Sequence, residues 1–361
     1  MKRNTKMIII AAVVVLLCIL TGIIFPPSLG KMKPFKDANG QIISNSIAEK
    51  STVNIQGEEL GIYLLGEDIA KPVLLVCGGG PGIPQYFLEY EMKSDLAKHF
   101  VVCYFDYRGT GRSFPSALGA EDMTTERYLQ DVLEITSYLR ERFGQEKIYI
   151  MGHSFGTYIA LRSVCENPEL YHAYFAMSQI TNQRESEAQA FDYMKAEYEK
   201  AQNASMVKKF NQYHITESAE DYDNYFKSGL RDQAMHELGV GTTRNMKSVI
   251  SGIFYPSLRM RDYTPGERVK FWRGKIASTG FAVTKDATGF NAFEEVPKIE
   301  IPIYFFAGKY DYTCSYSLQK EYFEAIVAPE KEFYTFEDSA HSPIYEEPEK
   351  ASEIFEKILS Y

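Results

Sequence analysis

The segment Gly152-His153-Ser154-Phe155-Gly156 sets a serine between two glycines, where a predicted strand (147–151) gives way to a predicted helix (155–165). On such a turn the serine hydroxyl stands clear of the backbone, and the flanking glycines let neighbouring chains pass closely. A glycine-rich turn with a capping serine is the bland alternative, and the strand-to-helix context favours a nucleophile. A hydroxyl is a weak nucleophile, so it needs a base within hydrogen-bond reach and a third group that fixes the base's tautomer. Of the six histidines, His341 lies in the polar loop Asp338-Ser339-Ala340-His341-Ser342-Pro343, which follows the last predicted strand and brings it to the sheet edge that carries Ser154. His153 adjoins the serine but reads as a packed, loop-bracing residue. His99, His172, His214 and His236 fall on predicted helices, strand margins or an inserted segment and read as core or surface side chains.

The orienting acid is expected at Asp311, in Gly308-Lys309-Tyr310-Asp311 after the predicted strand 301–306. It precedes His341 by 30 residues, enough for one helix and one strand to return to the same edge. The position after strand 171–177 offers Ser178 and Gln179 but no carboxylate, and Glu337 and Asp338 read as solvated loop charges. Acyl transfer also needs donors aimed at a developing oxyanion. Phe155, directly after the serine, supplies one backbone N–H. Cys77-Gly78-Gly79-Gly80-Pro81-Gly82 supplies the other, with Gly79 the first choice and Gly80 its close rival. A phosphate loop is excluded there because no Gly-Lys-Ser/Thr follows.

These residues require a scaffold, and the sequence pattern describes one. From residue 51 short apolar runs alternate with longer amphipathic stretches, the pattern of a mainly parallel sheet covered by helices. Residues 51–66 read as an opening hairpin, with strands at 73–76, 101–105, 147–151 and 171–177. Residues 85–98, 124–143 and 155–165 read as helices, the second capped by Thr124 or Thr125. After Met177 the alternation stops for about 120 residues, too long for a plain loop, and the Glu, Lys, Ala and Met content favours helix. Strand 301–306, helix 315–327, strand 332–336 and helix 346–359 then restore the order. The expected organisation is therefore a core from 51–179 and 299–361 with a helical cap, 180–298, inserted into it.

The first residues differ from the rest. Met1–Lys6 carries three basic residues and Met7–Phe25 is 19 residues without a charge, long enough at 1.5 Å per residue to span roughly the 30 Å of a hydrocarbon core. Residues 1–30 are read as a single transmembrane anchor and 31–50 as a polar tether. The positive-inside rule places the remainder on the outer face of the cell membrane. A cleaved secretory signal would have a shorter apolar core and a small-x-small site. The balance of 39 basic against 48 acidic residues, net charge -9, argues against nucleic acid as a partner. Five cysteines form no CxxC pair and no spaced ligand set, so neither zinc nor a dense disulfide framework is indicated, though a single bridge stays open. No metal or organic cofactor is implied.

Taken together, these motifs resemble the proline iminopeptidase branch of the α/β-hydrolases, serine aminopeptidases that remove an N-terminal residue, often proline. Gly78-Gly79-Gly80-Pro81-Gly82 is similar to the family's His-Gly-Gly-Pro-Gly, and Asp106-Tyr107-Arg108-Gly109-Thr110-Gly111-Arg112-Ser113 to its Asp-Gln-Arg-Gly-x-Gly-x-Ser. In the inserted segment, Tyr263–Lys275 also resembles cap segments of that branch. The chain departs from the pattern at Gly78, where the family has histidine, in its Gly-His-Ser-Phe-Gly elbow, and in its membrane-type leader. The resemblance implies an α/β-hydrolase fold and cap carboxylates that hold a substrate ammonium. Glu185, Glu187, Glu197 and Glu199 are available, in a run that by itself reads as a solvated helix face. Asp106 and Arg108 read as loop braces.

The expected protein is thus a membrane-anchored serine peptidase that acts on short peptides or amino-acid amides and esters. A carboxylesterase using the same three residues is the enzymatic rival. A binding protein on a retired hydrolase fold is disfavoured because every catalytic position is filled.

Overall fold

The computed structural model describes residues 26–360, so the apolar run Met7–Phe25 lies outside the described residues. Among the described residues no helix is long and apolar enough to cross a membrane. Eight strands form one sheet: β1 Ile47–Ile55, β2 Glu58–Gly66, β3 Val73–Cys77, β4 Val101–Phe105, β5 Ile148–His153, β6 Tyr171–Met177, β7 Ile303–Gly308 and β8 Lys331–Phe336. Their order is β1-β2-β4-β3-β5-β6-β7-β8, antiparallel across β1/β2 and β2/β4 and parallel from β4 onward.

Side chains alternate between two hydrophobic layers, because successive residues of a strand point to opposite faces. Leu75, Cys103, Ile150, Ala176 and Phe305 belong to one layer, with the helices Thr125–Phe143, Phe155–Glu166 and Tyr316–Ala325 packed over it. Val76, Tyr104, Met151, Phe175 and Phe306 belong to the other, under the helices Tyr86–Met92 and Pro348–Leu359. Both faces are covered, which is why the central strands read as unbroken apolar runs.

The segment expected as a cap is helical: Gln183–Lys200, Ala204–Phe210, Ala219–Lys227, Leu230–Leu238, a π-turn Ile250–Phe254, Tyr255–Arg259, Pro265–Ser278, Ala282–Gly289 and Ala292–Glu295. It is not uniform. Residues 190–240 gather a small core of their own around Phe191, Phe210 and Tyr225. By contrast Tyr263 and Phe271 join one layer of the main core, and Phe281 and Val283 join the other. The two ends of the insertion meet, since Asn182 bridges Asn291 and the Ala292 N–H donates to the Thr181 carbonyl at 2.6 Å.

The polar stretch 31–50 is not simply a tether. Ile47–Lys50 already pair with β2, Met32 is buried, and the Leu29 N–H donates to the Arg261 carbonyl of the cap at 2.7 Å. Cys77, Cys103, Cys165 and Cys314 are free thiols, so the bridge left open by the sequence is not formed among them.

Candidate active site

Ser154 sits between β5 and the helix Phe155–Glu166 with φ 54° and ψ -124°, a conformation that L-residues adopt only under constraint. The constraint is close packing. A Cβ on Gly156 would lie 1.9 Å from the Cys77 carbonyl oxygen, and one on Gly152 would lie 2.5 Å from Thr157 Cα. The Ser154 N–H donates to the Met177 carbonyl at 3.1 Å, tying the turn to the end of β6.

Asp311 and His341 come from the turns after β7 and β8. His341 Nδ1 stands 2.9 and 3.0 Å from the two Asp311 carboxylate oxygens. Asp311 is buried and also accepts from the N–H groups of Thr313 and Cys314, both at 2.9 Å. Gln319 Nε2 lies 3.4 Å from its second oxygen. These contacts fix the carboxylate, which in turn fixes the tautomer with the proton on Nδ1 and leaves Nε2 free to accept. His341 and Ser154 line one cavity of about 520 Å³. Cys314 lies on the same wall as a neutral thiol, held well above its usual pKa chiefly by burial.

The glycine loop after β3 closes the cavity beside Ser154. The Gly79 N–H, first choice from the sequence, already donates to Gln85 Oε1 at 3.1 Å. Among the described residues the N–H groups of Gly80, at φ +122°, and of Phe155 have no protein acceptor. Both residues line the cavity. Gln85 also bonds Tyr345 through its Nε2, and a side chain at Gly78 would meet Gln85 Cβ at 2.7 Å. That crowding accounts for glycine where the similar family has histidine.

His153 braces the site, as expected. Its Nε2 lies 2.8 Å from the His341 carbonyl oxygen and its Nδ1 3.0 Å from Gln85 Oε1. Burial pushes its pKa down to about 3, so the ring is neutral at pH 7 and donates to one of the two. Asp106 and Arg108 also brace. Asp106 is buried and accepts from Tyr63 Oη at 3.0 Å and the Arg112 N–H at 2.7 Å, while Arg108 binds Asp131 through Nε and Nη2 at 3.0 and 2.5 Å. The segment Tyr263–Lys275 rests on this loop, with Gly274 so close that a Cβ would lie 2.8 Å from Thr110 Cα.

Of the four cap glutamates, only Glu187 lines the cavity. It is fully buried, and Arg231 engages both its oxygens at 2.6 and 2.7 Å. Asp232 and Lys275 line the same cavity. Sequence reasoning passed over Gln85, Gln319, Arg231, Asp232 and Lys275, whose roles depend on contacts between distant segments and leave no local motif.

A protein-family model described as "alpha/beta hydrolase fold" matches residues 72–348. The probable aminopeptidase YbaC of Bacillus subtilis (strain 168) is 28% identical over 305 residues, which cover 84% of this chain and 93% of that protein. Among solved structures, a proline iminopeptidase-related protein from Thermus thermophilus superposes with a TM-score of 0.59 at 19% identity, covering 87% of this chain and 98% of the other. The proline iminopeptidase of Mycobacterium smegmatis superposes with a TM-score of 0.57 at 14% identity, covering 86% and 96%.

Proposed function

Because the chain belongs to the alpha/beta hydrolase fold family, we propose that it is a serine hydrolase of the aminopeptidase kind, cleaving N-terminal residues from short peptides through an acyl-enzyme at Ser154. One observation carries this reading: His341, held by Asp311, opens into a single cavity together with Ser154 and two residues, Gly80 and Phe155, whose backbone N–H groups are unengaged. In the first half-reaction His341 Nε2 takes the Ser154 hydroxyl proton as Oγ attacks the carbonyl carbon, and the oxyanion accepts from the N–H groups of Gly80 and Phe155. Collapse breaks the C–N bond, and His341 returns the proton to the leaving amine. In the second half-reaction His341 deprotonates water, which attacks the acyl carbon and releases Ser154. Asp311 holds the imidazole in register throughout. Glu187 and Asp232 are the carboxylates within the cavity toward which a substrate ammonium would turn. The similarity to a probable aminopeptidase supports the peptide reading.

A carboxylesterase remains the second reading, favoured by the apolar part of the cavity wall at Phe87, Leu88, Ile180 and Ile253. Parallel rates on proline and alanine arylamides, their N-blocked forms and short acyl esters decide between the two. Turnover confined to free-amine arylamides supports the aminopeptidase, and turnover of esters alone overturns it. Ser154→Ala is expected to lower kcat on the order of 10⁶-fold and abolish fluorophosphonate labelling while the fold persists. Labelling that survives at another serine would refute the nucleophile.

The three basic residues followed by an uncharged run at 7–25 support a further proposal, a single-pass anchor with the catalytic domain outside the cell.

A further inference from the structure

Four side chains that line the cavity are charged: Glu187, Arg231, Asp232 and Lys275. Three of them pair with one another, since Arg231 holds Glu187 through two bonds and one oxygen of Asp232 at 3.0 Å. Lys275 has no hydrogen-bond or ion-pair partner among the described residues. Its position is nonetheless constrained, because a Cβ on Gly82 of the glycine loop would lie 2.8 Å from Lys275 Cα and 3.0 Å from Cδ. Burial lowers its pKa, with the nearby Arg231 acting in the same direction and Asp232 against it. A single compact cation suits a monoanion, whereas a phosphate would call for further free donors, and Arg231 is already engaged.

We propose that Lys275 receives the free C-terminal carboxylate of a short peptide substrate, which makes the enzyme one of di- and tripeptides rather than of peptide amides or long chains. The proposal rests on the aminopeptidase reading. It is tested by kcat/KM for a prolyl dipeptide and for the same dipeptide as its C-terminal amide, in the full chain and in Lys275→Met and Lys275→Arg. The free carboxylate should be preferred on the order of tenfold, the worth of one charge-assisted hydrogen bond. The preference should vanish in Lys275→Met and persist in part in Lys275→Arg. Peptide turnover without that preference, or a preference unchanged in Lys275→Met, overturns the proposal alone. Cleavage of p-nitrophenyl acetate with neither peptide nor amide turned over overturns the aminopeptidase reading as well.

A separate observation concerns the outer surface. Among the described residues, six of the ten exposed large apolar side chains cluster on one part of the molecule: Leu29, Ile250, Phe254, Tyr255, Val269 and Ile276. Val269, Trp272 and Ile276 follow helical spacing on Pro265–Ser278, and Phe254 meets Trp272 edge to face with ring centroids 5.1 Å apart. The described chain starts against the same helix, with the Pro26 carbonyl accepting from Arg268 at 3.1 Å. The described chain therefore begins at this face. Exposed Lys247, Arg259 and Arg261 occur along the same segment, suited to anionic headgroups.

We infer that this face of the cap lies on the lipid surface, a reading that rests on the anchor proposed above. Trp272 is the chain's one tryptophan, so its fluorescence reports on this face alone. The full chain is mixed with phosphatidylcholine–phosphatidylglycerol vesicles with and without brominated acyl chains, and both flotation and emission are read. Flotation with a loss of Trp272 emission specific to brominated lipid is the expected result. Flotation with unquenched emission overturns the inference, and failure to float overturns the anchor with it.

Discussion

Gly308 closes β7 at the point where the loop of the acid and the loop of the base touch. A Cβ there would stand 1.8 Å from the Ala340 carbonyl oxygen and 2.7 Å from that of Ser339, both backbone atoms that no rotamer change can clear. Gly308→Ala must therefore push the segment before His341 away from Asp311. It is expected to cost about 1–3 kcal/mol of stability, the usual toll of overpacking, and to lower kcat further than lost folding explains. Thermal melts paired with the rate of fluorophosphonate labelling check this, and full labelling at normal speed would mean that the loops can part without harm. The placement of Ser154, Asp311 and His341 was legible because each follows a strand end and is of a type that carries chemistry of its own. Gly79 against Gly80 was not, since the choice turns on Gln85 Oε1, which occupies the Gly79 N–H from six residues away. Nor was Glu187 readable as anything but a helix-face charge, because Arg231, 44 residues on, is what buries it.

At the scale of elements, strands β4 and β6 occupy the residues expected of them, and the helix beginning after Thr124 is capped by that threonine's side chain, which accepts from the Arg127 N–H. Three expected helices are shorter: 315–327 forms only over Tyr316–Ala325, and two others break at identifiable residues. The stretch 85–98 stops at Met92, where Glu89 turns back to accept from both the N–H and the hydroxyl of Ser94, and Lys93 and Asp95 take positive φ. A buried glutamate that caps its own helix from within looks, in sequence, like one more helix former. The stretch 346–359 is divided by Pro348, which has no N–H to continue the turn before it. The opening hairpin starts at Ile47 rather than 51, because Ala48 pairs with Leu65 on the strand that lies against β4. The cap's helical character was legible from composition. Its division into a self-contained half and a half draped on the main core was not, because that division depends on which aromatic side chains meet partners far along the chain.

For the whole molecule, two protonated carboxyl groups, Asp106 buried and Glu346 half-buried, and the buried neutral His153 pull the response to acid in opposite directions. Burial raises Asp106 to about 6 and Glu346 to about 7, even though Glu346 accepts from the N–H groups of Ala340 and Arg244. Both bind protons in the folded state at pH values where the unfolded chain has released them, so their contribution to stability falls as pH rises from about 4 to about 7 and levels above. Each contributes on the order of 2–3 kcal/mol to that fall. His153, whose folded pKa of about 3 lies below the usual 6.5, gains stability over that window and opposes the two carboxyls. The carboxyl part is therefore read as a difference: between pH 5 and pH 7.5 Asp106→Asn is expected to lose less melting temperature, or gain more, than the native chain, and equal slopes in the two would contradict the assignment. The junction at Asn182 and Asn291 has a different consequence. Where an insert leaves and rejoins its host at one spot, its length is nearly free, each doubling costing only about 0.6 kcal/mol in closure entropy. The half with a core of its own, residues 190–240, is in that sense an exchangeable cassette: another of different size could take its place and alter what reaches the serine, whereas Tyr263, Phe271, Phe281 and Val283 belong to the main core and must stay.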